Sequence, residues 1–268
     1  MGRLRTIICI SVLALGCSET GDYTRAANYS NNAKDNYDKG LAELKSENWP
    51  DAIKYFSYTR SKFGFSKWAT LAELGIADAE FGREKYPEAI EAYRNFIKAH
   101  PTHEKVQDGY AAFRIGNSFY KEIPSDWFMV PPAYEKDQGP VHDAVRELTA
   151  FVDEYNDSKY LPKAKEMVSD CMRRLADHEI YVANFYLDRN KPLASIGRLE
   201  YLIKQYPGSN REPEVLLLLG RTYLKLDKPV EARRTFERLV ETHPGDFHAA
   251  KAKLYLDYIA KRYGAGHG

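Results

Sequence analysis

The sequence predicts an all-α fold, a superhelix of about five helix pairs closed by a C-terminal capping helix. Three observations carry that reading. Small residues recur at constant offsets along the 268-residue chain, and prolines close several of the units so defined. Apolar residues follow helical spacing, as in Leu161, Ala164, Met167, Val168, Cys171, Met172 and Leu175. With 44% apolar residues, 20 tyrosines and 12 phenylalanines, there is ample material for a core.

The first 16 residues stand outside that fold. In MGRLRTIICISVLALG, Arg3 and Arg5 precede an apolar run from Ile7 to Leu15 and the small residue Gly16, the anatomy of an export signal. The run is too short to cross a bilayer, which takes about 20 residues. It ends in LALGC, which resembles the lipobox of bacterial lipoproteins, with the usual leucine displaced to Leu13 and Ala14 in its place. The resemblance implies cleavage between Gly16 and Cys17 and acylation of the Cys17 thiol. Several acyl chains make anchoring effectively permanent, whereas one would not. The competing reading is a plain signal peptide with a bystander cysteine. Ser18, where an inner-membrane retention signal often has Asp, favours the outer membrane.

Removing residues 1–16 takes away two arginines and no acid, leaving a net charge of about −1 with no electrostatic attraction for nucleic acid. Of the three cysteines, Cys9 leaves with the signal and Cys17 carries lipid, so only Cys171 keeps a thiol. An internal disulfide or a cysteine-based metal site is therefore excluded. Cys171 falls on the apolar face of its helix and reads as a core residue. Residues 17–33, polar and rich in Asn and Ser, read as a tether.

The units then follow in order. Repeat 1 (34–64) has Gly40, Ala52 and Phe56; repeat 2 (68–101) has Ala77, Ala89 and Pro101. Repeat 4 (177–207) has Ala183, Ser195 and Pro207, and repeat 5 (211–244) has Gly220, Ala232 and Pro244, with Tyr223 and Phe236 between. In each of these the two small residues stand twelve apart. Two helices of a hairpin approach closely only where side chains are tiny, and neighbouring aromatics fill the wedge to the next pair. Proline ends the unit because it lacks a donor and clashes with the preceding turn.

Repeat 3 (104–156) is interrupted, because Gly116 and Ala144 stand 28 apart, so that 16 residues are added between its helices. The insert, 123–139, is broken by prolines, yet Trp127, Phe128, Met129 and Tyr134 argue against disorder. It is expected to fold back on the solenoid or to cover a partner site. An added helix (160–176) precedes repeat 4 or runs into it as one rod, and residues 246–263 form the capping helix, with a more polar outer face.

This ruler of small residue, small residue and proline resembles the tetratricopeptide repeat. Lipobox, tether, five repeats and an interrupted third repeat together resemble the BamD family, the tetratricopeptide lipoproteins of the bacterial β-barrel assembly machinery. NWPDAI, FIKAHPTHEKVQDGYAAFRIG and FYLDRNKPLASIGRLEYLIKQYP support the resemblance. It implies a periplasmic, outer-membrane-anchored scaffold with no cofactor and no covalent chemistry. Its partners would be a BamA-like barrel-forming subunit, other lipoproteins of the complex, and unfolded outer-membrane proteins.

With the first helix of each pair lining the concave face, counting from Gly40, Ala77 and Gly116 gives a candidate peptide groove. It comprises Tyr37, Leu41 and Leu44; Leu74, Asp78 and Phe81; and Phe113, Asn117 and Tyr120. Aromatic anchors in such a groove suit an extended peptide ending in aromatics. The alternative is that about half of these residues pack against the next repeat. Arg211, Glu212 and Glu214 at the start of repeat 5 are candidates for partner docking, or else simply solvated charges. Catalytic and metal constellations do not emerge: His100 and His103 flank a terminator proline, without the i, i+4 spacing of a helical zinc site. A periplasmic adaptor for peptidoglycan or division machinery is the alternative function.

Overall fold

The computed structural model describes residues 27–124, 132–207 and 209–264. Gly16, Cys17, Trp127, Phe128 and Met129 lie outside the described residues. Twelve α-helices follow one another among those described: α1 Ala33–Lys45, α2 Trp49–Lys62, α3 Lys67–Gly82, α4 Tyr86–Ala99, α5 Glu104–Gln107, α6 Tyr110–Glu122, α7 Gly139–Glu154, α8 Leu161–Asp188, α9 Pro192–Gln205, α10 Glu212–Lys225, α11 Pro229–Thr242 and α12 Phe247–Tyr263. Each packs chiefly on its neighbours along the chain, α1 on α2, α2 on α3 and so on to α12, with α4 meeting α6 past the short α5. The molecule is thus a stack of helix pairs with its core strung along the stack.

The small residues do what their spacing predicts. Gly40, Ala52, Ala77, Ala89, Gly116, Ala144, Ala183, Ser195, Gly220 and Ala232 are all buried. A methyl carbon on Gly40 would fall 2.6 Å from Phe56 Cε1, and one on Gly75 2.7 Å from Phe56 Cε2. The Phe56 ring therefore lies between the first and second pairs. At Gly116 the same carbon would meet Leu148 Cδ2 at 2.7 Å, and at Gly220 it would meet Phe236 Cζ at 2.6 Å. Pro101, Pro207 and Pro244 each stand two residues beyond the end of α4, α9 and α11.

The turns inside the pairs share a geometry that composition does not announce. Glu47, Glu84, Asn190 and Asp227 have φ of 60°, 60°, 55° and 56°. Each lies seven residues after a crossing residue, at 40, 77, 183 and 220. The next residue then donates its N–H back to a helix carbonyl: Asn48 to Glu43 at 2.9 Å, Lys85 to Glu80 at 2.9 Å, Lys191 to Tyr186 at 2.8 Å and Lys228 to Tyr223 at 3.0 Å. This is the six-to-one bond of a Schellman cap, here without glycine.

The third pair replaces that turn with the insert between α6 and α7. Its described part folds back on the solenoid. A 3₁₀ turn at Ala133–Glu135 lies against α8, where His178 Nδ1 donates to the Tyr134 carbonyl at 2.6 Å and the Tyr134 and Tyr181 rings lie 5.3 Å apart. The division at 176/177 between an added helix and repeat 4 falls inside one helix, since α8 runs unbroken for 28 residues. Pro162 sits in its first turn and no glycine or proline follows before Asp188, so nothing ends it earlier. Cys171, at 0% exposure, sits in the core that α8 shares with α7 and α9.

Candidate peptide groove and docking surfaces

Six of the nine candidate groove residues are half-buried side chains on the first helix of a pair and a seventh, Asp78, is tied down by hydrogen bonds, so the groove is built from fewer free groups than the counting suggests. Tyr37, Leu41 and Leu44 are half-buried against the first-pair core. The Tyr37 ring lies 5.7 Å from Phe56 and 5.3 Å from Trp68. Phe81, Asn117 and Tyr120 are likewise half-buried.

Leu74 and Phe113 are not groove residues. They are 7% and 8% exposed. Leu74 belongs to the cluster with Ala89, Ile90 and Tyr93, while Phe113 stacks on Tyr160 at 4.9 Å and packs on Phe151. One turn before the crossing residue, these two positions still face the neighbouring helix.

Asp78 carries the main polar feature. Tyr93 and Tyr110 both donate their hydroxyls to Asp78 Oδ1 at 2.5 Å. Arg114 Nε donates to the Tyr93 hydroxyl at 2.9 Å and lies 3.6 Å from Asp78 Oδ1. The Arg114 guanidinium also covers the Phe81 ring, 3.6 Å from its centre. Burial pushes the Asp78 pKa above the ordinary carboxylate value, against the lowering effect of the two tyrosines and Arg114. The same burial raises the Tyr93 and Tyr110 hydroxyls. The cluster thus knits α3, α4 and α6 together and presents a cation on an aromatic face. Tyr93, Tyr110 and Arg114 were not legible as site residues, because they lie 15 to 36 positions from Asp78 and only the fold unites them.

A second polar chain starts at Tyr120, whose hydroxyl donates to Asp170 Oδ2 at 2.9 Å. Asp170 also accepts from Arg174 Nε at 2.7 Å and from Arg173 at 2.5 Å. Burial works to raise the Asp170 pKa, but the bonds from Arg174, Arg173 and Tyr120 outweigh it and hold the carboxyl below its ordinary value. Arg173 reaches Asp177 at 3.3 Å, and Asp177 accepts from Arg211 Nε at 2.6 Å. Tyr120, Lys163, Met167, Asp170, Arg173 and Asn210 line a depression of about 390 Å³.

The candidate docking charges are engaged within the chain. Arg211 bonds Asp177 and, at 2.9 Å, Glu214; Glu212 bonds Arg238 at 2.5 Å. They pin the start of α10 to α8 and α11. Another surface at this end escaped the sequence reading. Leu217, Arg221, Lys251, Leu254, Tyr255 and Tyr258 line a depression of about 500 Å³. On α12, Phe247, Leu254 and Tyr258 are exposed, so the capping helix is less polar outside than a terminal helix is expected to be. Among the described residues, no grouping of His, Cys, Asp and Glu fits a metal ion, and no helix is long and apolar enough to cross a membrane.

Comparisons with known proteins place the chain in a family. The model of the YfiO family, described as outer membrane lipoprotein, matches residues 29–239. The outer membrane protein assembly factor BamD of Caulobacter vibrioides is 26% identical over 210 residues, which are 78% of this chain and 66% of that protein. The BamD of Neisseria gonorrhoeae is 27% identical over 213 residues, 77% of each chain. Among solved structures, the TPR2AB domain of yeast Sti1 is 14% identical, with a TM-score of 0.43 over 87% of this chain and 86% of that one. The family match runs from the segment before α1 into α11, and this chain, a tetratricopeptide-type solenoid, belongs to the YfiO family of outer membrane lipoproteins.

Proposed function

We propose that this protein is a non-enzymatic scaffold subunit for the assembly of outer-membrane β-barrel proteins. Membership of a family whose relatives are named outer membrane protein assembly factors is the observation that carries the reading. Acyl chains on Cys17 hold it at the periplasmic face of the outer membrane, and it takes no cofactor. The groove around Tyr37, Leu41, Leu44, Phe81, Asn117 and Tyr120 receives extended, aromatic-ended segments of unfolded barrel proteins, with the Asp78–Arg114 cluster as its polar floor. Arg211, Glu212 and Glu214 stiffen the start of α10, beside which the barrel-forming subunit docks.

The test is affinity isolation of the tagged protein from outer membranes in mild detergent. Co-purification of a barrel protein carrying tandem periplasmic domains is expected, together with loss of barrel proteins from the outer membrane on depletion. Recovery with peptidoglycan enzymes or division proteins, and unchanged barrel levels on depletion, would overturn the proposal.

A further inference from the structure

The turn between α2 and α3 carries the most exposed large apolar side chain among those described. Phe65 is 112% exposed relative to an extended reference, so its whole ring stands clear of the body. Its neighbours along the chain carry one sign of charge. From residue 52 to residue 72 the sequence has Lys54, Arg60, Lys62 and Lys67 and no acid. Lys54 pairs with Asp51, but among the described residues Arg60, Lys62 and Lys67 form no ion pair, and all three are exposed. Lys67 instead lies over the Trp68 ring at 4.8 Å.

The chain enters the fold beside this turn. Tyr29 stacks on Tyr58 of α2 at 4.1 Å, and Tyr58 meets Phe63 edge-on at 6.2 Å. The Asn28 N–H donates to the Tyr55 hydroxyl at 3.2 Å, and Lys39 donates to the Asn28 carbonyl. Residues 28 and 29 are thus strapped to the helix whose end bears Phe65. Ten residues separate Cys17 from Asn28, a reach of at most about 40 Å when fully extended. An acylated Cys17 therefore keeps this end of the solenoid close to the bilayer.

We propose that the α2–α3 turn is a membrane-contact site, with Phe65 inserted into the interfacial layer of an anionic bilayer and Arg60, Lys62 and Lys67 on its headgroups. A protein partner would have to supply a fitted pocket for the ring and acids for each cation, whereas a layer that is apolar beneath and anionic above takes a protruding ring among unpaired cations without any matched pocket. The inference rests on location at a membrane and is independent of the role in barrel assembly.

The experiment uses acylated Phe65→Trp protein in vesicles of phosphatidylethanolamine and phosphatidylglycerol containing lipids brominated on their acyl chains. The emission added by the introduced indole, relative to the parent with its native tryptophans, shifts to the blue and is quenched at least about twofold more than in phosphatidylcholine vesicles. Lys62→Glu with Lys67→Glu removes the difference. The non-acylated chain 17–268 with Cys17→Ser contains every described element and separates this claim from the anchor. It binds the anionic vesicles weakly, and the two charge reversals weaken that binding by more than about tenfold. Failure of acylation would refute the anchor alone, leaving this second measurement to decide. Unquenched emission from the introduced indole in all vesicles, or photo-crosslinking from position 65 to a protein without lipid quenching, would overturn the proposal.

Discussion

Replacing Gly220 by alanine tests the helix crossing with a single methyl group. That carbon would lie 2.6 Å from Phe236 Cζ and 2.8 Å from Cδ1, where carbon contacts settle at about 3.5–4.0 Å. The ring edge must then retreat by roughly 1 Å. It has nowhere to go, because Phe236 is fully buried and stacked on Tyr255 at 5.0 Å with planes 8° apart. Overpacking of this kind costs about 1–3 kcal/mol, set against about 1 kcal/mol gained from alanine's helix propensity. The net loss is about 0–2 kcal/mol, rising to several for Gly220→Leu. Gly197 supplies the control. It is an exposed position inside α9 with nothing within 4 Å of a methyl group, so Gly197→Ala gains the propensity term of about 1 kcal/mol undiminished. Thermal and urea unfolding followed by circular dichroism, with amide exchange over α10–α12, reads both. Gly220→Ala is expected to be less stable than Gly197→Ala by the overpacking cost of about 1–3 kcal/mol, and equal stability of the two would refute the close crossing.

Two further outcomes follow from the titrating groups. Asp170→Asn weakens the bonds from Arg173, Arg174 and Tyr120 and costs about 1–2 kcal/mol at neutral pH. Because the folded pKa of Asp170 is depressed, its contribution is complete above the ordinary aspartate value of 3.8 and is lost as pH falls through the folded value. The gap between parent and variant in urea unfolding therefore closes in acid, and a gap unchanged at low pH would contradict the assignment. Cys171 is fully buried, with its thiol pushed up to about 12 first by burial and then by Asp170. It is expected to resist an aromatic disulfide reagent at pH 8 in the native protein and to react in denaturant; rapid native reaction would show that the α7–α9 core is open.

The repeat was legible because close packing leaves a sterically forced mark: Gly40, Gly116 and Gly220 are small since a larger side chain would strike a neighbour. The prolines were legible for a similar local reason. The groove was less so. Leu74 and Phe113 occupy positions on the first helix of their pairs that look equivalent to Tyr37, but burial depends on which neighbour the stack supplies, and that is a long-range property. The Asp78–Tyr93–Tyr110–Arg114 cluster has no local signature at all. The left-handed turns at Glu47, Glu84, Asn190 and Asp227 were hidden because glycine, the usual marker of that geometry, is absent there. Phe65 lay in plain view as an aromatic, and only its complete exposure distinguishes it from the many aromatics that pack.

Helix α8 alters the mechanics of the whole stack. In an ordinary array every hairpin can hinge against the next, and fluctuations die out after one neighbour. Here a rod of 28 residues, about 42 Å long, serves both the interrupted hairpin before it and the regular one after it, packing on α7 and on α9. Bending at that joint would require breaking a helix in its middle, so it behaves as an axle rather than a hinge. The two hairpins that flank it consequently keep a constant bearing to one another, so that whatever the interrupted hairpin holds is presented to the regular one at a fixed angle.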